Sequence, residues 1–284
     1  MSRLRDQYYN NPVLYDLRRG IQKASPRNWQ LVHAVVAILV ILGLLLLGFS
    51  FFSNVSVVDA SVPLFMMLPI LTLVIPTVLH ATFAGEWQAR SLNSLLVAPL
   101  TTRDLVIAKV LRSLLPFFVL TILWCFVALA AQGIQEVMAA RGVIDAPARA
   151  WPDVVMLVPL AVVASFAYTL FLVGVTALVS SYTKTTSAAL LGTLGVLIIV
   201  ILIIPVMIGV LSGGGQVLAY IHPFAQIASL SSSLADESWD LVPPLRESWL
   251  LFVGVWAAWA ALGICGLYAT ISRMTKLRQA GIED

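Results

Sequence analysis

An all-α, polytopic membrane fold with six transmembrane helices is what this sequence predicts, on three observations. Hydrophobic residues make up 60% of the chain and charged residues only 11%, against roughly 25% charged in a soluble domain. The apolar residues gather in runs of 20 or more, and a helix needs roughly 20 such residues to cross a ~30 Å hydrocarbon core. The runs are continuous, whereas a transmembrane β-barrel shows short alternating segments. Backbone groups in lipid must be satisfied within the segment, so each run is expected to be a helix.

The first element precedes the spans. Residues 11–24, NPVLYDLRRGIQKA, open with Asn11 as a cap and Pro12 in the first turn. Val13, Leu14, Leu17 and Ile21 form one face, and Asp16, Arg18, Arg19, Gln22 and Lys23 the other. Such a segment is expected to lie on the membrane surface, in contact with lipid. Ser25-Pro26 interrupts it, and Trp29 stands where an interfacial anchor belongs.

The six spans are drawn at 31–52, 63–84, 105–131, 154–181, 188–211 and 248–271. The third and fourth are long enough to tilt or to project from the bilayer. Pro205 is expected to kink the fifth, and Gly209-x-x-x-Gly213 at its end offers a weak close-packing signal. Cys125 and Cys265 fall inside apolar runs as small hydrophobic residues, without metal-ligand spacing.

Orientation follows from the basic residues. With both termini inside, the inner side holds Arg3, Arg5, Arg18, Arg19, Lys23, Arg27, Arg90, Arg103, Lys109, Arg112, Lys184, Arg273, Lys276 and Arg278, which is 14 of 17. Only Arg141, Arg149 and Arg246 remain outside. N-in/C-in with six spans is the expectation, with 272–284 as an inner tail. The first 30 residues are polar and basic, so no cleavable signal peptide is expected. None of the outer connections is large enough to be a separate domain, and they carry several acidic residues. Within the last, Phe224, Ile227, Ala228 and Leu230 are spaced for a short interfacial or re-entrant helix over 221–234. With no internal repeat, 1–284 reads as a single membrane domain.

The polar stretch 85–109, GEWQARSLNSLLVAPLTTRDLVIAK, separates the second and third spans. Leu92, Leu95, Leu96 and Leu100 fall at helical spacing among Ser91, Asn93 and Ser94, so 90–98 is expected to be a short amphipathic helix ended by Pro99. Glu86 stands one turn before Arg90, close enough for an i,i+4 pair. Thr101-Thr102-Arg103-Asp104 offers caps for the third span. A neutral edge turn is the simplest account of such a loop, but about 20 residues exceed what a tight helix–helix connection needs.

These residues resemble the transmembrane subunits of ABC-2-type (type V) ABC transporters. The family pattern has an acidic residue ending span two, a small helix with paired leucines, a proline, and a lysine opening span three. Here they are Glu86, Leu92, Leu95-Leu96, Pro99 and Lys109. The resemblance extends to the basic N-terminal helix, the six spans, the short connection at 181–187 and Pro223-Phe224. One departure is Arg90-Ser91-Leu92-Asn93, where the family often has Gly-Thr-Leu-Glu.

The resemblance implies that 86–104 is a coupling segment seated in a cleft of a cytoplasmic ATPase subunit, with Glu86, Arg90, Leu92, Leu95, Leu96, Pro99 and Leu100 making the coupling. It implies an exporter permease in the inner or plasma membrane, paired with a second copy or a paralogue and with two copies of a separate ABC ATPase. ATP and Mg²⁺ would bind in that partner; no cofactor is expected in this chain, and no nucleic acid among its partners. None of the four lysines follows a glycine, so the phosphate-cradling Gly-Lys-Ser/Thr loop is absent from the sequence.

Other chemistry finds little support. His33, His80 and His222 lie far apart, no His-Glu-x-x-His or Gly-x-Ser-x-Gly motif occurs, and no catalytic or metal-ligating residues are expected. His80 lies within span two among Thr72, Thr77 and Thr82. An ionisable residue at membrane depth marks a candidate pathway, here Thr72, Thr77 and His80, although a neutral histidine bonded between helices is the simpler account. An ATPase-independent six-span transporter or channel is the alternative function, and a membrane scaffold for a cytoplasmic complex the third. Acidic residues are scarce at the span centres, which disfavours ion coupling.

Overall fold

The computed structural model describes residues 61–89, 101–143, 150–211, 222–223 and 245–280. Among these residues every regular element is helical. The elements are α1 (Ser61–Leu79), α2 (Ala81–Gln88), α3 (Thr102–Ala140), α4 (Trp151–Tyr182), α5 (Thr186–Leu197), a π-helical turn (Ile198–Ile203), α6 (Ile204–Leu211) and α7 (Leu245–Gln279). Five stretches are long and apolar enough to cross a membrane: Met67–Gln88, Phe117–Ala140, Val154–Tyr182, Thr186–Ile208 and Phe252–Gln279. Large apolar side chains such as Phe126, Met156 and Leu191 face outward at 63%, 65% and 70% exposure, a surface suited to lipid and costly in water. The chain is a multi-pass helical membrane protein. The surface helix at 11–24, the first span, most of the coupling segment and the re-entrant helix at 221–234 lie outside the described residues.

The helices run past the apolar stretches that mark them. α3 has 39 residues, about 58 Å at 1.5 Å per residue, nearly twice the ~30 Å hydrocarbon thickness. It does not stop at 131, because Gln132–Ala140 holds good helix formers. It stops where Gly142 adopts φ 69°. There the Val143 amide reaches the Met138 carbonyl and the Gly142 amide the Ala139 carbonyl, both at 2.9 Å, the paired closure of a Schellman motif. α7 likewise continues through the expected tail to Gln279, with Lys276 and Arg278 in its last turn, where the helix dipole favours cations.

The fifth span carries its irregularity just before Pro205. The Ile204 amide bonds to the Ile199 carbonyl, one residue wider than an α-turn, which makes room ahead of a ring that clashes in a regular helix.

α4 is the centre of the structure and packs against α1, α2, α3, α5 and α7. Its tightest neighbour is α7, which runs in the same direction. A Cβ added at Gly174 would collide with the Gly263 carbonyl, and one added at Gly263 with the Leu170 carbonyl. A Cβ at Gly266 would lie 2.8 Å from the Gly174 carbonyl carbon. Only glycine permits this backbone-to-backbone approach. Earlier along the crossing, Phe171 and Trp259 meet edge to face at 4.6 Å, with Tyr168 at 6.3 Å from the Trp259 ring. Farther on, the Arg273 guanidinium lies 5.0 Å over the Tyr182 ring.

Hydroxyls within the spans are mostly satisfied on their own helix. Thr121, Thr176, Thr193 and Thr270 donate to the carbonyls of Phe117, Leu172, Ala189 and Gly266. This local closure lets a polar side chain sit at membrane depth without a partner helix.

Candidate functional site

The polar chemistry gathers where α2 and α4 end and α3 and α5 begin. α2 is a short helix, and its last turn carries Glu86 and Gln88. Lys109, in the second turn of α3, places Nζ 2.8 Å from Glu86 Oε1 and donates to the Thr82 carbonyl at 3.2 Å. The ammonium also lies 5.7 Å from the centre of the Phe83 ring. The side chains are 14% and 28% exposed, so the pair is screened less than a surface bridge. It ties the exit of α2 to the entry of α3, across the polar stretch between them.

α3 begins with a reciprocal cap. Thr101 Oγ1 accepts from the Asp104 amide at 3.1 Å and donates to Asp104 Oδ2 at 2.6 Å. Asp104 also sits in the first turn, where a negative charge opposes the dipole of a long helix. Beside this start, Thr101, Thr102 and Arg103 of α3 and Thr275, Arg278 and Gln279 of α7 line an open cleft of about 610 Å³.

On its other side α2 is bound to α5. Gln88 Oε1 accepts from the Thr186 amide at 3.3 Å and from Thr186 Oγ1 at 3.1 Å. Thr185 caps α5 by accepting from the Ala188 amide at 3.3 Å.

The third attachment comes from α4. The expected single span at 63–84 is interrupted at His80, between α1 and α2. There Ser180 Oγ accepts from the Phe83 and Ala84 amides, each at 3.0 Å, and donates to the His80 carbonyl at 2.8 Å. Insertion of a side chain into the helix ladder is a recognised cause of a break. Eight residues of α2 are thus fastened to α3, α4 and α5.

Of the residues expected to make the coupling, Glu86 stands in this cluster. Arg90, Leu92, Leu95, Leu96, Pro99 and Leu100 lie outside the described residues, as do Val13, Leu14, Leu17, Arg18, Arg19, Ile21 and Lys23 of the surface helix. The candidate pathway residues are placed separately. Thr72 Oγ1 donates to the Leu68 carbonyl at 2.8 Å and lies 2.7 Å from the Tyr168 hydroxyl of α4, which donates to it in turn. Thr77 is exposed and closes on the Val74 carbonyl. His80 Nδ1 lies 3.2 Å from the Pro76 carbonyl of its own helix. No hydrogen bond among the described residues joins these three to one another.

Ser180, Gln88 and Tyr168 are the residues that sequence reasoning missed. Gln88 lies within the polar stretch already singled out, so its position was a usable signal. Ser180 and Tyr168 are single polar residues inside an apolar run, and their partners lie about a hundred positions away.

Between α3 and α4 an apolar groove of about 210 Å³, open to the outside, is lined by Leu114, Phe117, Phe118, Thr121, Phe166 and Thr169 among others. Among the described residues no three His, Cys, Asp or Glu side chains gather to hold a metal ion. No family model matches the chain, and no curated protein matches it.

Proposed function

We propose that the chain is the permease subunit of an ATP-binding-cassette exporter of the ABC-2 type, with six spans and both termini cytoplasmic in an inner or plasma membrane. The observation that carries the reading is the 2.8 Å pair between Glu86 and Lys109. In the resemblance, these two residues stand on either side of the coupling helix. Their pairing draws the ends of that segment together, so a push on it reaches α2 and α3 as one load.

A coupling element must be stiff, and α2 is braced on three sides by Lys109, Ser180 and Thr186. Binding and hydrolysis of ATP take place in the partner ATPase, of which two copies serve two permease chains. The permease contributes the path, and its movement opens that path outward. The scarcity of charge within the spans favours an amphiphilic substrate.

Affinity purification of the full chain from its native membrane tests the reading. The expected result is an ABC ATPase in stoichiometric amount, lost with Leu95→Asp/Leu96→Asp while the permease stays folded. Retention of the ATPase and of transport by that variant removes the coupling assignment. Recovery of the chain with no ATPase turns the reading to an ATPase-independent transporter or channel.

A further inference from the structure

We propose that Ser180 is a latch across the α1–α2 break, holding the second apolar helix in an interrupted state that closes without the rest of the fold. The proposal is drawn from the helix break alone and stands apart from the permease reading.

A hydroxyl has one donor and two acceptor sites, and Ser180 uses all three on one stretch of backbone: the His80 carbonyl at 2.8 Å and the Phe83 and Ala84 amides at 3.0 Å. Ser180 is fully buried. Its neighbours behave differently. Ser181 donates to the Leu178 carbonyl at 2.6 Å, and Thr183 turns back to the Val179 carbonyl at 3.2 Å. Ser180 reaches across to another helix.

The broken stretch is also prepared for a second state. Thr82 Oγ1 covers the Leu79 carbonyl at 2.6 Å. His80 sits at φ −54°, ψ −30°, which is ordinary helical backbone. The His80 torsions therefore do not lock the break. If Ser180 lets go, the Phe83 amide and the Leu79 carbonyl can meet as an i→i−4 pair, and α1 and α2 become one helix. The two states exchange one set of hydrogen bonds for another, the condition for a switch with a small energy gap. α2 carries Glu86 and Gln88, so the latch sets where the following segment is presented.

The test uses the full chain in lipid nanodiscs, with Cys265→Ser and spin labels at Leu73→Cys and Ala89→Cys on either side of the break. Ser180→Ala is expected to add a second distance to the distribution. Ser180→Thr, which keeps the hydroxyl, and Ser181→Ala are expected to match the parent. A Ser180→Ala distribution superimposable on the parent overturns the latch. If Ser180→Ala does not fold, amide exchange of the parent decides. Phe83 and Ala84 are expected to exchange about tenfold faster than Leu172 and Val173, through local opening. Exchange of Phe83 and Ala84 only with global unfolding overturns the proposal.

Discussion

Glu86 and Lys109 stand 23 positions apart in the chain, yet their charged atoms meet at 2.8 Å, and the lysine spends a second proton on the Thr82 carbonyl. Lys109 thus has a backbone partner in addition to the carboxylate. Glu86→Gln is expected to destabilise the protein by about 1–2 kcal/mol, between the values for exposed and buried pairs. Lys109→Gln is expected to cost at least as much, since it also takes the ammonium from the Thr82 carbonyl. The swap Glu86→Lys/Lys109→Glu should recover only part of the loss, because a carboxylate at 109 repels the Thr82 carbonyl. Thermal unfolding of the four proteins in one detergent checks the order.

The crossing of α4 and α7 makes a sharper prediction. Gly174→Val or Gly263→Val drives a side chain into backbone, which cannot give way as a flexible side chain does. The expected loss is at least about 3 kcal/mol, at the upper end for overpacking, and it should appear as aggregation on gel filtration. Gly195→Ala and Gly254→Ala place a methyl where no described residue lies within 4 Å. They should be neutral or gain up to about 1 kcal/mol from helix propensity.

The Thr72–Tyr168 bond is one neutral link between α1 and α4. A double-mutant cycle with Thr72→Val and Tyr168→Phe is expected to give a coupling near 0.6 kcal/mol, typical of hydrogen bonds between membrane helices. Tyr168→Ala should cost several times more, since the ring also packs against Phe171 and Trp259. Chemical unfolding in mixed micelles reads both quantities.

His222, outside the spans, supplies a pH dependence. Burial pushes its imidazole below the ordinary value of 6.5, so the folded state favours the neutral ring. The stability it supports is present in full above pH 6.5 and is lost as pH falls through the folded value. The parent should lose thermal stability between pH 7.5 and 5, and His222→Gln should flatten that slope. Melting curves of the two proteins across that range settle the sign.

Apolar runs were enough to locate the five described spans, because burial in lipid demands length and hydrophobicity that few other structures need. Their ends were harder to read. Gln132–Ala140 and the stretch after Ile271 are polar enough to suggest loops, yet helix propensity and the dipole carry the backbone onward. The break at His80 was illegible for a different reason: its cause is a serine on another helix. Glu86 and Lys109 could be singled out individually in the sequence by a resemblance, and their pairing came only with the fold. The glycines of the α4–α7 crossing belong to two separate runs and carry no mark in either that points to the other.

That crossing has a mechanical meaning. Neither α4 nor α7 can roll about its own axis, since a turn of either helix brings a residue with a side chain into the other's backbone. The two helices act as a fixed keel. Among the described residues displacement is left to the interrupted hydrogen-bond ladder at His80 and the π-turn ahead of Pro205, and both lie in helices that rest against the keel without being fused to it.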